Sequence, residues 1–574
     1  MADLPPSARS EKSAAHDDAG EFWRRAIRND VPAPRSDAVE RGRGRLVVVA
    51  AAALVGLASI LCKLASLSLG DASSTPNPVP RPITEASRAD IIDRNGELVA
   101  RDLDFYDVSI KPARLRNRDR TAEELARLIP ESASALKRRF KNSEFAYIQR
   151  NATPKEAEAI HGLGLPGAEF QPRPRRTYPK AALLSHVVGY VNLDNRGTAG
   201  IERSQDSMLR ERGHDGEPLR LSIDTAVQFA VRQIIGGGIA EYGAVAGVGI
   251  VLDVRNGEIY AMVSLPDFDP HNPGKADDEG KRNRASGAVY EMGSVFKPFT
   301  FATGFEHGSL GMHDSFDARQ PLKIGRRIIH DFHAENRWLS TEEVFIHSSN
   351  IGTAKIAIKF GPDVQREYLG KLGLLNKSPV ELPEVEKPLV QSHWGTIEGV
   401  TISYGYGISV TPLQVASGVG ALVNGGYYVA PTVFKRSAGA AFERRQVITG
   451  ATGEKIRELM RANVLDGTGK TADIEGYDVG GKTGTANKEE SGGYSGSKRV
   501  ASFVAAFPIN APRFLVLVML DEPTRVPGIP GQVPTGGATA APLCGLIIRR
   551  IAPILGMPPE LRETTSAQNA LKHG

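Results

Sequence analysis

Three short strings constrain the fold of this 574-residue chain more than any other feature. They are SVFK at 294–297, SSN at 348–350 and KTGT at 482–485, and they occur in this order in an apolar-rich region. They supply a serine nucleophile, a lysine three positions later, a Ser/Asn pair and a second lysine with neighbouring hydroxyls. Such a set can form and break an acyl-serine ester. A fold that uses it must bring three distant segments to one cleft.

The first string predicts a helix that begins at Ser294. Positions i and i+3 share one face of a helix, so we expect the Lys297 amine to lie beside the Ser294 hydroxyl. Pro298 is compatible with this helix because it falls in the first turn. A serine nucleophile needs a base, and Lys297 can be that base only if burial or a second cation keeps it neutral. Lys482 is the candidate for that cation.

The strings differ in how specific they are. SxxK also occurs as SALK at 134–137, in a charged segment, and as SGSK at 495–498, in a Gly/Ser loop, and we interpret both as structural. KTG after a Gly-Gly pair predicts a strand edge that presents Lys482, Thr483 and Thr485. The ordered combination, with gaps of 54 and 134 positions, indicates catalysis.

The N-terminal part of the chain predicts a membrane anchor. Residues 1–45 are polar and predict a disordered cytoplasmic tail. Residues 46–62 then run 17 positions without a charge, and an anchor over 46–67 would span the hydrocarbon layer. Three arginines directly before this run place the tail in the cytoplasm: Arg41, Arg43 and Arg45. The alternative is a cleaved signal peptide, for which no clear small-x-small site follows.

Two further regions predict folded domains. A Ser/Pro-rich linker at 68–82 precedes a mixed α/β pedestal over 83–225, where RADIIDRNGELVA at 88–100 predicts a hairpin with its turn at Asn95-Gly96. The second domain covers 226–560, and 561–574 is a flexible tail.

The second domain predicts a mostly antiparallel sheet covered by helices, an α/β (α+β) fold. Two hairpins are expected, one turning at 255–257 and one joining strands at 499–509 and 514–522. An apolar helix over about 538–555 ends the domain.

Composition and minor motifs exclude several other functions. The net charge of +5 comes without a basic run interleaved with aromatics, so we predict no nucleic-acid binding. Cys62 and Cys544 form neither a disulfide framework nor a zinc motif. His330 and His333 lack further metal ligands nearby in the sequence, so we assign them a surface or loop role. Ser340 and Glu343 form a capping box, a structural feature.

Several segments resemble class B penicillin-binding proteins, which are membrane-anchored peptidoglycan D,D-transpeptidases. The resemblance extends over most of residues 80–555. It is carried by RADIIDRNGELVA, by NRASGAVYEMGSVFKPFT at 283–300, and by ISYGYGISVTPLQ at 402–414 with GGKTGTANKEESGGY at 480–494. The last two blocks are most typical of the division-specific FtsI-type branch, penicillin-binding protein 3. PTGGATAAP at 534–542 departs from the family pattern.

The resemblance implies catalytic roles for five residues. Ser294 would attack the penultimate D-Ala carbonyl of a stem peptide and expel the terminal D-Ala, while Lys297 takes the serine proton. Ser348 and Asn350 would pass a proton to the leaving amine and hold the donor peptide, and Lys482 would supply positive charge.

The resemblance also implies how substrate is bound. Thr483, Gly484 and Thr485 would form the substrate-binding strand, with the two threonines on the terminal carboxylate. Backbone amides of Ser294 and Thr485 would form the oxyanion hole. An amine of a neighbouring stem peptide would then attack the ester, β-lactams would acylate Ser294 stably, and neither metal nor organic cofactor is needed.

The implied setting is septal wall synthesis at the bacterial inner membrane, with the catalytic domain periplasmic. The implied partners are stem peptides of lipid II-derived nascent glycan, an FtsW-type glycan polymerase and other divisome membrane proteins. The alternatives are an elongation-type transpeptidase, a serine β-lactamase, and a β-lactam sensor or scaffold without turnover. An anchor and a pedestal of this size are superfluous for a β-lactamase, and the N-terminal region is too small for a glycosyltransferase domain.

Overall fold

The computed structural model describes residues 48, 50–61, 87–213, 216–490 and 493–559. The chain divides into two compact units, Met1–Pro82 and Ile83–Gly574. In the first unit residues 48 and 50–61 are helical. No helix within the described ranges has both the length and the apolar character needed to cross a membrane. The predicted tails at 1–45 and 561–574 and the linker at 68–82 lie outside the described residues, as does part of the predicted anchor.

The second unit begins with short and long strands mixed with small helices. The strands are β1 (Ile91–Ile92), β2 (Leu98–Ile110), β3 (Ala146–Ala152), β4 (Ala168–Thr177), β5 (Tyr190–Val191), β6 (Gly197–Ala199) and β7 (Leu219–Arg220). The helices are α1 (Arg118–Leu125), α2 (Ala133–Asn142), α3 (Pro154–His161), α4 (Ser185–Val188), α5 (Gly200–Ser204) and α6 (Asp206–Arg212). This region is mixed α/β, as predicted.

The predicted hairpin at 88–100 is present. Ile92 pairs with Leu98 in an antiparallel ladder, and Gly96 has a φ of +95° in the turn. Strand β2 continues to Ile110 and pairs with both β3 and β4. Apolar side chains of α1, α2 and α3 pack against β2 and β3 and form a separate small core.

The remaining elements form the larger, C-terminal region. Its strands are β8 (Ala246–Asp253), β9 (Ile259–Leu265), β10 (Ser315–Asp317), β11 (Leu322–Ile324), β12 (Arg327–Ile329), β13 (Trp338–Ser340), β14 (Leu389–Val390), β15 (Ile408–Ser409), β16 (Tyr427–Val429), β17 (Arg444–Gln446), β18 (Gly480–Glu490), β19 (Gly493–Phe507) and β20 (Phe514–Asp521). Its helices are α7 (Thr225–Tyr242), α8 (Asp278–Lys281), α9 (Lys297–Glu306), α10 (Thr341–Ile346), α11 (Asn350–Lys371), α12 (Thr396–Ser403), α13 (Pro412–Val423), α14 (Gly450–Leu465) and α15 (Ala540–Ile554).

Five of these strands form one antiparallel sheet in the order β18-β19-β20-β8-β9. Both predicted hairpins, β8–β9 and β19–β20, are confirmed, as is the final helix, α15. The sequence did not predict the short strands from β10 to β17, because segments of two or three residues carry no usable alternation.

The sheet is buried on both faces because successive side chains point to opposite sides. Val251, Phe503 and Val518 pack with α7 and α15 on one face. Leu252, Val504 and the helices α9, α11 and α13 form the core on the other face. The predicted antiparallel sheet covered by helices is therefore confirmed, and its edge strand β18 carries the KTGT string.

Candidate active site

Ser294 lies in a tight turn that packs directly on the edge strand. Residues Gly293–Phe296 form a 3-10 helix, and α9 continues from Lys297. The predicted helix start at Ser294 is therefore one residue late, and its first turn is 3-10 in type. Gly293 has a φ of +56°, and a Cβ there would lie 2.6 Å from the Thr485 carbonyl oxygen. Only glycine allows this turn to approach β18 so closely.

The glycine of the KTG string has the complementary role on the strand. A Cβ at Gly484 would lie 2.5 Å from Val295 and 2.6 Å from the Met292 carbonyl oxygen. The backbone of β18 therefore lies against the Ser294 turn, and side chains on either side of Gly484 reach the cleft.

Two buried lysine amines converge on the Ser348 hydroxyl. Lys297 donates to Ser348 Oγ at 3.0 Å, and Lys482 donates to the same oxygen at 2.9 Å. Lys297 also donates to the Ser348 carbonyl. No hydrogen bond joins the Lys297 amine to the Ser294 hydroxyl in the part of the chain that the structure describes, so the expectation that this amine lies beside that hydroxyl stays a prediction. Sequence spacing puts the two residues on one face, but it cannot say which acceptor the long lysine side chain reaches.

Both amines have pKa values lowered by burial, since each lysine is fully enclosed. Burial lowers the pKa of Lys297 to about 7, and the charge of Asp331 opposes that change. Burial, and then the charge of Lys297, hold the pKa of Lys482 well below its ordinary value. Because the two amines lie close together on one hydroxyl, a state in which both carry a positive charge is unfavourable. Lys297 can therefore lose its proton and serve as a base near pH 7.

A carboxylate that the sequence analysis overlooked holds the SSN string in place. Asp331 accepts from the backbone amides of Asn350 at 2.5 Å and Ile351 at 2.9 Å, and from the Ser349 hydroxyl at 2.8 Å. It therefore caps the N-terminus of α11. The HDFH string contains this aspartate, but no local pattern links it to a helix that begins 19 positions later.

Ser348 has a backbone conformation that L-residues rarely adopt. Its φ is +59°, in the left-handed region. It lies between the C-terminus of α10 and the start of α11, where the Ser349 side chain caps α11. A Ser340–Glu343 capping box fixes the other end of α10, its N-terminus. The predicted capping box is confirmed. Such backbone strain persists only where surrounding contacts enforce it.

These residues border a cleft of about 390 Å³. Its lining includes five of the residues predicted from sequence: Ser294, Ser348, Asn350, Thr483 and Thr485. Lys297 and Lys482 are buried beneath it, and Gly484 contributes backbone alone. The structure thus brings all three strings together.

Further residues complete the walls of the cleft. Thr468 bonds the Thr483 hydroxyl at 2.7 Å, and the Gly536 amide donates to the Thr485 hydroxyl at 3.0 Å. A Cβ at Gly536 would lie 2.3 Å from the Gly484 carbonyl oxygen. The unusual PTGG segment therefore forms the wall along β18. Thr468 and Tyr406, which also line the cleft, were missed because no motif marks them singly.

The arrangement of side chains around this cleft defines a class of enzyme. Ser294 faces the cleft, and the amines of Lys297 and Lys482 meet at the Ser348 hydroxyl beneath it. The threonine hydroxyls on β18 can bind a carboxylate. This is the machinery of an active-site serine acyltransferase.

Comparison with known families agrees with the site. Residues 247–548 match the family described as "Penicillin binding protein transpeptidase domain". Residues 83–218 match "Penicillin-binding Protein dimerisation domain".

Individual proteins are similar over most of the chain. The probable peptidoglycan D,D-transpeptidase FtsI of Caulobacter vibrioides is 39% identical over 496 residues, which is 84% of either chain. The probable peptidoglycan D,D-transpeptidase PenA of Neisseria gonorrhoeae is 31% identical over 515 residues, covering 84% of this chain and 87% of that protein. The crystal structure of penicillin-binding protein 3 from Mycobacterium tuberculosis with ampicillin superimposes with a TM-score of 0.67 at 25% identity, covering 84% and 98%.

The chain therefore belongs to the penicillin-binding protein transpeptidase family, and the resemblance inferred from its sequence is confirmed. It is a serine-type acyl-transferring enzyme, in agreement with the geometry of the site.

Proposed function

We propose that the chain is a peptidoglycan D,D-transpeptidase that cross-links stem peptides during septal wall synthesis. The observation that carries the proposal is the meeting of two buried lysine amines at the Ser348 hydroxyl, beneath a cleft that contains Ser294. The name of the Caulobacter relative supports the substrate and the division-specific branch.

In the first half-reaction Ser294 Oγ attacks the penultimate D-Ala carbonyl carbon. Its proton passes to the neutral Lys297 amine, whose lowered pKa makes it a base near pH 7. Backbone amides of Ser294 and Thr485 hold the oxyanion at the N-terminus of the turn. As the amide C–N bond breaks, the proton travels from Lys297 through the Ser348 hydroxyl to the leaving D-Ala amine.

Substrate binding is assigned to the edge strand and to α11. Thr483 and Thr485 donate hydroxyl protons to the terminal carboxylate. Thr485 is oriented for this by the Gly536 amide, which occupies a lone pair of its hydroxyl. When Lys297 is neutral, its charge no longer lowers the pKa of Lys482, and the single proton shared by the two amines resides on Lys482, which then adds positive charge from below. Asn350 holds the donor peptide backbone on the opposite wall.

In the second half-reaction an amine of a neighbouring stem peptide attacks the ester carbonyl. A new amide forms and Ser294 recovers its proton. A β-lactam that mimics the D-Ala-D-Ala end acylates Ser294 but leaves no room for the amine, so the adduct persists. The Mycobacterium tuberculosis relative has been crystallised with ampicillin and with aztreonam.

We also propose that residues 46–67 anchor the enzyme in the inner membrane, with the N-terminus cytoplasmic and the catalytic region periplasmic. The uncharged run at 46–62 and the arginines before it support this topology. The anchor and the 83–225 pedestal would contact an FtsW-type glycan polymerase and other divisome proteins. If an unrelated helix in place of 46–67 preserved septal targeting and polymerase activation, the proposed role of the anchor would be wrong.

The catalytic proposal is tested with the full chain and a fluorescent penicillin, read by intact mass. Wild type should gain one stable adduct and Ser294→Ala none. Ser134→Ala, at the exposed serine of the SALK string in α2, is the matched control and should label like wild type.

Two results would overturn the assignment. Folded wild-type protein without an adduct would exclude Ser294 as the acylated nucleophile. An adduct that vanishes while penicillin is consumed would identify a β-lactamase.

A further inference from the structure

A second cavity opens beside the catalytic cleft and shares Asn350 and Tyr406 with it. We call it the side pocket, and its volume is about 260 Å³. Its lining includes Arg327, Ile328 and His330 on one side and Tyr404, Tyr406 and Tyr494 on the other. None of the roles assigned above uses it.

One wall of the side pocket is the small β11–β12 hairpin. Its strands pair in antiparallel register, with Ile324 opposite Arg327, and the Ile328 side chain is 57% exposed. The chain leaving β12 reaches His330, whose carbonyl accepts from the Asn350 side-chain amide at 3.1 Å. Asp331, the next residue, caps α11 as described above. The hairpin is therefore bonded directly to the catalytic SSN string.

The facing wall consists of tyrosines held in fixed positions. The rings of Tyr406 and Tyr494 pack edge to face with centroids 5.3 Å apart, and Tyr404 lies 6.0 Å from Tyr406. Tyr494 donates to a Glu291 carboxylate oxygen at 3.1 Å, and Tyr406 accepts from the Asn487 amide on β18 at 3.2 Å. This wall is thus tied to the catalytic edge strand.

Arg327 supplies the full positive charge of the side-pocket lining, while the Glu291 carboxylate behind the lining accepts from Gly407 and Tyr494. Arg327 makes no ion pair with any residue that the structure describes, and the lining contains no aspartate or glutamate. Burial raises the pKa of Tyr404 to about 12, and the positive charge of Arg327 opposes that rise. Both residues line the side pocket. An unpaired guanidinium in a polar pocket is suited to a ligand carboxylate.

We propose that the side pocket is the acceptor subsite, where Arg327 binds a carboxylate that lies close to the attacking amine. The ligand class is an amino-acid residue of a second stem peptide that carries both groups. This inference rests on the transpeptidase function proposed above, which requires a second peptide beside the acyl-enzyme. Asn350 and Tyr406 line both cavities, so the side pocket adjoins the cleft that contains Ser294.

This subsite would serve the aminolysis of the acyl-enzyme. The acceptor nitrogen bonds to the acyl carbon, the bond from that carbon to Ser294 Oγ breaks, and the proton lost by nitrogen returns to Ser294 by way of Ser348 and Lys297. Water competes with the amine for the same ester. Arg327 therefore sets the ratio of aminolysis to hydrolysis and leaves acylation unaffected.

The test uses the full chain with an N-acyl-D-alanyl thioester donor and two acceptors, D-alanine and D-alaninamide. The measured quantity is the ratio of aminolysis to hydrolysis product. With D-alanine, Arg327→Ala should lower this ratio about three- to tenfold, the loss expected for one partly exposed charge pair. With D-alaninamide the ratio should not change, and Arg327→Lys should retain part of the preference. Arg326→Ala is the matched control, since the adjacent arginine lies outside the lining, and it should behave as wild type.

Several results would overturn the inference. An unchanged ratio in Arg327→Ala, an equal loss with both acceptors, or the same loss in Arg326→Ala would each exclude carboxylate recognition by Arg327. Slower penicillin acylation of Arg327→Ala would instead assign this residue to support of the SSN string. A wild-type enzyme that forms no penicillin adduct contradicts the transpeptidase function itself, so the two failures are distinguishable.

Discussion

At the scale of single residues, Ser348 combines a strained backbone with a hydroxyl that accepts from two amines. The strain places Oγ between Lys297 and Lys482, where an ordinary helical serine would point elsewhere. The sequence identified all three residues, but only the structure places the hydroxyl between the two amines.

Replacing Ser348 should separate chemistry from stability. Ser348→Ala and Ser348→Gly both remove the proton relay, so each should slow penicillin acylation on the order of a hundredfold. Glycine accepts a φ of +59° without strain, so Ser348→Gly should be about 1 kcal/mol more stable than Ser348→Ala. Acylation kinetics and denaturant unfolding measure the two effects. Equal stability of both variants would contradict the strain argument.

The lowered pKa of Lys297 predicts a pH dependence of acylation. The base must be neutral, and an amine with a pKa of about 7 loses its proton as pH rises through that value. The acylation rate should therefore increase from pH 6 to pH 8 and then level off. A rate that is flat or falls over this range would exclude Lys297 as the base.

At the scale of elements, the active site depends on contact between the 3-10 turn Gly293–Phe296 and strand β18. Gly293 and Gly484 provide that contact from the two sides. The sequence predicted the strand and nearly the right helix start. It could not predict the distance between them, because that distance depends on packing between segments almost two hundred positions apart.

The pair Gly293→Ala and Gly308→Ala tests this contact. Both glycines have a positive φ, +56° and +76°, so each alanine carries a conformational cost of about 1–2 kcal/mol. Gly308 has open space for a Cβ, whereas Gly293 faces the Thr485 carbonyl oxygen at 2.6 Å. Gly293→Ala should therefore be the less stable variant and should also lose acylation, which Gly308→Ala retains. Unfolding curves and penicillin labelling that are alike for the two variants would contradict the packing argument.

At the scale of the whole molecule, a buried charge cluster joins distant parts of the N-terminal region. Glu202 accepts from Arg88 at 2.9 Å and from Arg176 at 2.6 Å, and Arg176 also pairs with Asp102 at 3.2 Å. These groups are removed from water, so each depends on the others for compensation.

Glu202→Gln should therefore destabilise the protein by about 3–5 kcal/mol, because it leaves two buried guanidiniums without a common partner. Glu169→Gln breaks a surface pair with Lys111 and should leave stability nearly unchanged. Urea unfolding of the two variants measures the difference. A Glu202→Gln variant as stable as Glu169→Gln would show that the cluster adds no net stability.

The sequence by itself determined the candidate catalytic residues, the two hairpins, the terminal helix and the antiparallel sheet. Motifs and alternating apolar residues are patterns within short stretches of sequence, so they can be recognised without knowledge of the tertiary structure.

Tertiary structure alone decided how these parts meet. It placed the Lys297 amine on Ser348, made Asp331 the support of the SSN string, and set the β11–β12 hairpin with Arg327 beside the cleft. Each of these placements depends on contacts between residues far apart in the chain. The burial that lowers the pKa of Lys297 also arises from such contacts. Contacts of this kind arise from packing in three dimensions, which no local pattern specifies.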